Sequence, residues 1–182
     1  MFRPGLITDT WDLEGYKISE EDCSSLKIND IKKVAHSMEG TFLQTPPVFS
    51  AKKINGKPAY YYARRNPYDD KINEMKKNLV QIYDIEVLSF NGTEAELTIH
   101  CSSGTYIRSV IFQMGMNLGC GATMTYLERT AIGSFKLKDC IDADEIDRIA
   151  LPGMITEYKN SIIDIETAKK IIGTGSQNLQ TI

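Results

Sequence analysis

Tyr106 and Arg108 place a phenol and a guanidinium two residues apart in Gly104-Thr-Tyr-Ile-Arg108, where a strand passes into a helix. Backbone N–H groups at a helix start favour anions, and a guanidinium makes planar, two-point contacts with carboxylate or phosphate. On residue types alone, an anion-binding corner and a surface ion pair both fit. A second stretch, Gln44-Thr-Pro-Pro-Val-Phe-Ser-Ala-Lys-Lys-Ile-Asn-Gly56, joins a stiff extended segment to adjacent lysines and a turn. It reads as an edge strand and loop, or as a contact for a nucleic-acid backbone. Beyond it, Tyr60, Tyr61 and Tyr62 beside Arg64 and Arg65 can stack on bases or anchor a helix in the core. A third stretch, Leu118-Gly-Cys-Gly-Ala122, reads as a glycine-rich joint between two helices. It has the spacing of neither phosphate-cradling loop, so it does not support nucleotide binding of that kind. No nucleophile elbow, HExxH or Ser/His/Asp arrangement occurs.

The elements that must position these residues follow from periodicity and punctuation. Leu6–Gly15 reads as the end of a strand entering an acidic turn. Asn29 is expected to cap a helix with Ile31, Val34, Ala35 and Met38 on one face, stopped at Gly40. Prolines keep residues 45–49 out of helix, Asn55-Gly56 marks a turn, and Pro58 opens a helix that carries Ala59, Tyr62 and Ala63 inward. The clearest strand signal runs from Leu79 to Cys101. Asn91-Gly92 there predicts a two-residue type I′ hairpin turn. On the return strand Ala95, Leu97, Ile99 and Cys101 face one side, while Glu96, Thr98 and His100 face the other. That makes His100 a solvent-side strand residue. A helix follows with Ile107, Val110, Ile111 and Met114 at helical spacing, closed by Leu118-Gly119. A short helical segment is expected at Met124–Leu127, and further helices after Asp142 and Asp164. Together these predict an α+β fold, a mixed or mostly antiparallel sheet with helices packed against it.

Composition bounds the rest. The chain has 182 residues, 42% hydrophobic and 25% charged, which suits a folded domain with a short appendage. Its net charge of −3 is not the bulk footprint of a nucleic-acid binder. The acids crowd residues 9–22 and 139–147, however, and Lys52, Lys53, Lys57, Arg64 and Arg65 cluster between them. Cys23, Cys101, Cys120 and Cys140 form no CxxC unit and read as reduced thiols, with no metal site. No signal peptide or membrane-spanning run is evident, so the expected location is the cytoplasm.

In this order the stretches resemble the TruB family of tRNA pseudouridine synthases. Gly5-Leu-Ile-Thr-Asp-Thr-Trp-Asp-Leu-Glu-Gly15 is similar to the family's GxxTDTxDxxG. Phe42, Gln44, Pro46-Pro47, Ser50-Ala51 and Asn55-Gly56 through Tyr62-Ala63-Arg64 resemble its QxPPxxSAxKxNGxxxYxxAR element. Cys101-Ser102, Gly104–Arg108 and Leu118–Ala122 resemble the CSxGTYIR…LGxGA run. Leu127, Arg129-Thr130, Gly133 and Phe135 complete an LxRTxxGxF signature, so the resemblance spans residues 5–140.

The resemblance implies an isomerase that converts a T-loop uridine of tRNA to pseudouridine without metal or organic cofactor. Such enzymes flip the uridine out, attack or deprotonate it with an aspartate, cleave the glycosidic C–N bond and rejoin the base through carbon. Unstacking the base costs a few kcal/mol, which pocket contacts must offset. It further implies that Tyr106 stacks on the flipped base and is a candidate to take the proton from its carbon. Arg108 would pair with the catalytic aspartate, and Leu127 would wall the uracil. Lys52, Lys53, Arg64 and Arg65 would be candidate contacts to the tRNA T-arm.

The family's aspartate lies in a GxxGxLDP segment, which is not among these 182 residues, and Asp9 and Asp12 belong to a later motif. Thr123 stands where the family has His, and Gln113 where Asp is common. The resemblance therefore implies a catalytic-domain portion over residues 1–141, inactive alone, with a complementary N-terminal segment as partner. Residues 142–182 would form a linker helix and the start of a small RNA-binding module. A non-catalytic, tRNA-gripping remnant is the alternative. An open sheet edge, with its hazard of self-association, is also expected.

Overall fold

The computed structural model describes residues 1–66, 69–140 and 179–181. Its spine is the pair β7 (Asn78–Phe90) and β8 (Ala95–Ser102), antiparallel with Phe90 opposite Ala95 and Ile82 opposite Cys101. Alternation sends Ala95, Ile99 and Cys101 into the core, all fully buried, with Glu96 outward. His100 faces the other way, its ring 5.1 Å from that of Tyr83. Register shifts near Asp84 and Ser89 bend the long strand. The hairpin turn differs from the expected type. Only Gly92 has positive φ, at +94°, and Asn91 Oδ1 accepts the N–H groups of Thr93 and Glu94. The reversal is therefore centred on Gly92-Thr93, because the Asn91 side chain is used as a local acceptor.

Around this pair the sheet grows by strands β1 (Phe2–Pro4), β4 (Gly40–Gln44) and β9 (Ala122–Met124). β4 lies on the outer side of β7, and β1 sits between β8 and β9. Farther along, β10 (Ala131–Ile132) and β11 (Phe135–Lys136) join β8 through β12 (Leu179–Thr181). All of these ladders are antiparallel, so the fold is α+β as expected. Among the described residues β4 pairs only with β7, leaving its outer edge open. Leu43 and Leu79 face each other there, 62% and 70% exposed. The helices expected after Asp142 and Asp164 lie outside the described residues.

Two helices cover the sheet. The first, α1 (Ile28–Ser37), buries Ile31 and Ala35, with Met38 just beyond its end. Its N-cap is Lys27, not Asn29. Asp30, three residues into the helix, reaches back to accept the Lys27 N–H at 3.1 Å, the half of a capping box that the third helical residue supplies. Next comes α2 (Ala59–Ala63), a short helix that follows the hairpin β5 (Lys53–Ile54) and β6 (Lys57–Pro58). Asn55 and Gly56 both have positive φ at that turn. A separate small core forms below, where Ile54, Ala59, Tyr62 and Ala63 meet Ile72 and Met75 around α3 (Asp70–Asn73).

The second sheet-covering helix is α4 (Ile107–Leu118), whose Val110, Ile111 and Met114 are essentially inaccessible. Each such side chain contributes about 1.5–3 kcal/mol relative to exposure. Gly119, at φ +83°, ends it. The N–H groups of Gly119 and Cys120 return to the carbonyls of Met116 and Gly115, a Schellman arrangement. Gly115 is needed for a different reason: a Cβ there would strike the backbone of Gly121 and Ala122. The chain then enters β9, so the glycine-rich joint links helix to strand. Residues 124–127, expected as helix, instead run extended from the end of β9, tied by the N–H groups of Thr125 and Tyr126 to the Met1 carbonyl. Sheet pairing overrides their helical spacing.

Candidate functional site

Three segments distant in sequence converge on the first turn of α4. The proline-rich segment is the first. Pro46 and Pro47 are fully buried, and the rigid path they impose turns polar groups of residues 44–49 toward the helix. Gln44, 4% exposed, uses both ends of its amide on Tyr106. Its Nε2 donates to the Tyr106 carbonyl at 3.1 Å, and its Oε1 accepts the Tyr106 N–H at 2.8 Å. Ser109 Oγ donates to the Thr45 carbonyl, and Arg108 Nη2 donates to the Phe49 carbonyl, both at 2.9 Å. Tyr106 is the N-cap of α4, so this clamp fixes the direction in which its phenol leaves the backbone.

The acidic turn is the second segment. It follows β2 (Leu6–Thr8), which pairs with β3 (Lys17–Glu20). Asp9 Oδ1 accepts the Tyr16 N–H at 2.8 Å, closing the turn, and a Cβ on Gly15 would collide with Asp9 and Thr10. Trp11 sits at φ +63°, a costly backbone for a bulky residue, and its indole stacks on Phe112 with centroids 4.3 Å apart. Phe112 follows Arg108 by four residues on α4, so it lies on the same face. Trp11 and Asp12 therefore grip neighbouring positions of one helix.

Asp12 is the carboxylate that meets Arg108. Its Oδ2 accepts from Nη1 at 2.9 Å, while Oδ1 accepts from Thr10 Oγ1 at 2.6 Å and from the Glu14 N–H at 3.1 Å. The same Nη1 also donates to the Thr10 carbonyl at 2.9 Å. Arg108 thus has a carboxylate partner in Asp12, as the ion-pair reading of this residue allowed. The turn that carries Asp12 folds back through Thr8 and Thr123: the buried Thr123 hydroxyl accepts the Thr8 N–H and donates to the Leu6 carbonyl. A threonine at 123 is satisfied entirely by this backbone bridge.

The third segment is the extended stretch after β9, which brings Leu127 and Arg129 to the site. Tyr106, Arg108 and Leu127 line one hollow of about 440 Å³, with Ile107 and Met124 as further apolar wall and Lys52 at its margin. An apolar slot of about 150 Å³ adjoins it, sharing Ile107, Met124 and Leu127. The other basic candidates lie elsewhere. Arg64 lines a separate groove with Tyr60 and the acidic turn, meeting the hollow only at Arg108. Arg65 stacks on Tyr61, its Cζ 4.3 Å from the ring, with Lys57 Nζ at 4.5 Å. Lys53 is exposed on the β5–β6 hairpin. Tyr62 is a core residue, whereas Tyr60 is 40% exposed, so the tyrosine run divides between packing and surface.

Residue types alone did not reveal four participants. Asp12 and Gln44 were visible as motif letters without a role. Arg129 too stood as a motif letter without a role, and it lines the hollow together with Leu127. Asn78, which also lines the hollow, gave no signal at all.

An α+β domain with one helix start clamped beside an apolar, cation-edged hollow can hold a flat heterocycle and orient a carboxylate. Comparison with known proteins gives the class. Residues 1–107 match the family model of the TruB family pseudouridylate synthase N-terminal domain, and the chain belongs to that family. Relatives named tRNA pseudouridine synthase B include that of Clostridium tetani, 41% identical over 143 residues, covering 79% of this chain and 48% of the relative. That of Endomicrobium trichonymphae is 40% identical over 151 residues, covering 81% and 64%. Among solved structures, one in the crystal structure of a Cbf5-Nop10-Gar1 complex superposes with a TM-score of 0.59 at 27% identity. It covers 80% of this chain and 40% of that one. The chain thus spans about half to two-thirds of the length of these curated relatives.

Proposed function

We propose that this chain forms the uridine-holding part of a tRNA pseudouridine synthase acting on the T-loop. The observation that carries the reading is that Tyr106, Arg108 and Leu127 line a single hollow. A pyrimidine turned out of its stack would lie between the Tyr106 ring and the Leu127 wall, where aromatic stacking and apolar contact offset the cost of unstacking. Tyr106 is the candidate to take the proton from the base carbon. Arg108, fixed by Asp12 and two carbonyls, keeps its remaining N–H edge for a second carboxylate, which it would hold ionised and aimed. Asp12 is itself engaged by three donors and is the support of Arg108, not the nucleophile.

The nucleophilic aspartate belongs to the GxxGxLDP segment, which these 182 residues do not contain. The reading assigns it to a further polypeptide segment and the T-arm of tRNA to the basic residues Lys52, Lys53, Arg64 and Arg65. Positioning alone does not replace a nucleophile. The 182-residue chain is therefore expected to form no pseudouridine in a T-arm RNA. Fusion to an upstream segment carrying the aspartate should restore turnover, abolished by Tyr106→Phe. Turnover by the 182 residues alone, or restored turnover indifferent to Tyr106→Phe, would overturn the assignment. Binding of T-arm RNA without turnover in the fusion would favour the non-catalytic, RNA-gripping alternative.

A further inference from the structure

Two of the four cysteines are neighbours in space though far apart in sequence. Cys23 follows β3 on the approach to α1, and Cys120 stands in the glycine joint between α4 and β9. Gly5, between β1 and β2, brings the two segments together. Its carbonyl accepts the Glu21 N–H at 2.8 Å, and its own N–H donates to the Gly121 carbonyl at 2.9 Å. Cys120 Sγ reaches that same Gly121 carbonyl at 3.5 Å. Cys23 Sγ lies 3.0 Å from where a Cβ on Gly5 would stand, so the bare glycine leaves the space this thiol occupies. The Cys120 thiol is a direct neighbour of the Cys23 thiol. Both residues are partly exposed and both thiols are free, and Cys23 lines a surface groove of about 410 Å³ with Ser24 and Thr93. The remaining cysteines differ in kind: Cys101 is fully buried in the sheet, and Cys140 is exposed beyond β11.

We propose that Cys23 and Cys120 form a redox-sensitive pair whose disulfide fastens the β2–β3 hairpin to the C-terminal end of α4. The oxidant is a low-molecular-weight disulfide. One protein thiolate attacks a sulfur of that molecule, the small S–S bond breaks, and one small thiolate leaves with the electron pair. The second protein thiolate then attacks the cysteine sulfur of the mixed disulfide and expels the other small thiolate. In all, two protein thiols lose two protons and two electrons, and the small disulfide gains them as two thiols. The bridge closes a loop of roughly a hundred residues, a size at which the constraint on the unfolded chain is large. It also ties together the two elements of the Asp12–Arg108 clasp, since the turn of the β2–β3 hairpin carries Asp12 and α4 carries Arg108. The pair goes beyond the base-hollow reading and does not depend on it.

The test equilibrates the 182-residue chain, without air, in mixtures of reduced and oxidised glutathione. Because burial holds the Cys23 thiol well above its ordinary range, exchange is slow and is followed to equilibrium. Samples are quenched with acid, alkylated, digested and mapped by mass spectrometry. The peptide linked through Cys23 and Cys120 should survive about a hundredfold more reducing mixtures in the folded chain than in urea, the factor by which a native disulfide typically favours the folded state. Oxidised chain should melt about 5–10 °C above reduced chain. Cys23→Ser and Cys120→Ser should each remove that gain, and Cys140→Ser should leave it intact. Glutathione adducts that never close to a bridge, a folded-to-urea factor near unity, or linkage running mainly to Cys140 would overturn the pair. A bridge that forms yet leaves the Tm unchanged would overturn the fastening.

Discussion

Replacing Asp12 by asparagine tests the clasp that aims Arg108. The change is nearly isosteric and keeps an amide oxygen for Thr10 Oγ1 and the Glu14 N–H, yet sets an N–H₂ group against the guanidinium Nη1. The pair stands at 2.9 Å, and each side chain is about a fifth exposed (21% and 20%), so the contact is only weakly screened. A hydrogen bond to a charged group contributes about 1.5–3 kcal/mol, and removing one partner of a buried pair costs up to about 3–5 kcal/mol. Arg108 keeps the Thr10 and Phe49 carbonyls, which places Asp12→Asn toward the lower end, about 2 kcal/mol. For a chain of this size that is a fall in Tm of roughly 4–8 °C. Trp11 is the single tryptophan and stacks on Phe112 beside this pair, so urea denaturation followed by its fluorescence reads the clasp directly. Adding Arg108→Met and the double variant completes a cycle in which the coupling should exceed about 1 kcal/mol. Stability within about 0.5 kcal/mol of the parent for Asp12→Asn, or additive effects in the double variant, would refute the clasp.

Other outcomes follow from the same geometry. Gln44→Ala leaves the part-buried Tyr106 N–H without its partner, while the Tyr106 carbonyl keeps the Val110 N–H, and should cost about 1–2 kcal/mol in urea denaturation, with Gln44→Glu no better because it sets a carboxylate oxygen against that carbonyl. At position 11, where φ is +63°, glycine should be more stable than alanine by about 1 kcal/mol, reversing the usual order; circular dichroism melts of the two variants decide it. Burial, chiefly, and the adjacent Cys120 thiol push Cys23 up to about 12 from an ordinary 9.0. A raised acid pKa favours the folded state fully below about pH 9, and that contribution is lost as pH climbs toward 12. Denaturation midpoints should therefore fall across this window, and less so in Cys23→Ala.

Much of the fold was legible because its signals were redundant. From Ile107 to Gly119 helical spacing and a left-handed glycine agreed, and along β8 strict alternation separated core from solvent. What failed was local evidence outvoted by distant partners. Asp30, not Asn29, serves the start of α1, and Met124–Leu127 is drawn extended by β1 and Met1. The site was legible in part for the same reason. Tyr106, Arg108 and Leu127 were named from resemblance, and the hollow brings them together. Their supports were not, since Asp12 and Gln44 act across gaps of 96 and 62 residues that no local pattern encodes.

The central claim, that one pyrimidine sits between Tyr106 and Leu127, is tested most directly by photocrosslinking. A T-arm RNA with 5-iodouridine at the target position is bound to the chain, irradiated, digested and analysed by mass spectrometry. The modified peptide should contain Tyr106, and Leu127→Asp should abolish the adduct. An adduct confined to the Tyr60–Tyr61 surface, with Tyr106 unmodified, would contradict it.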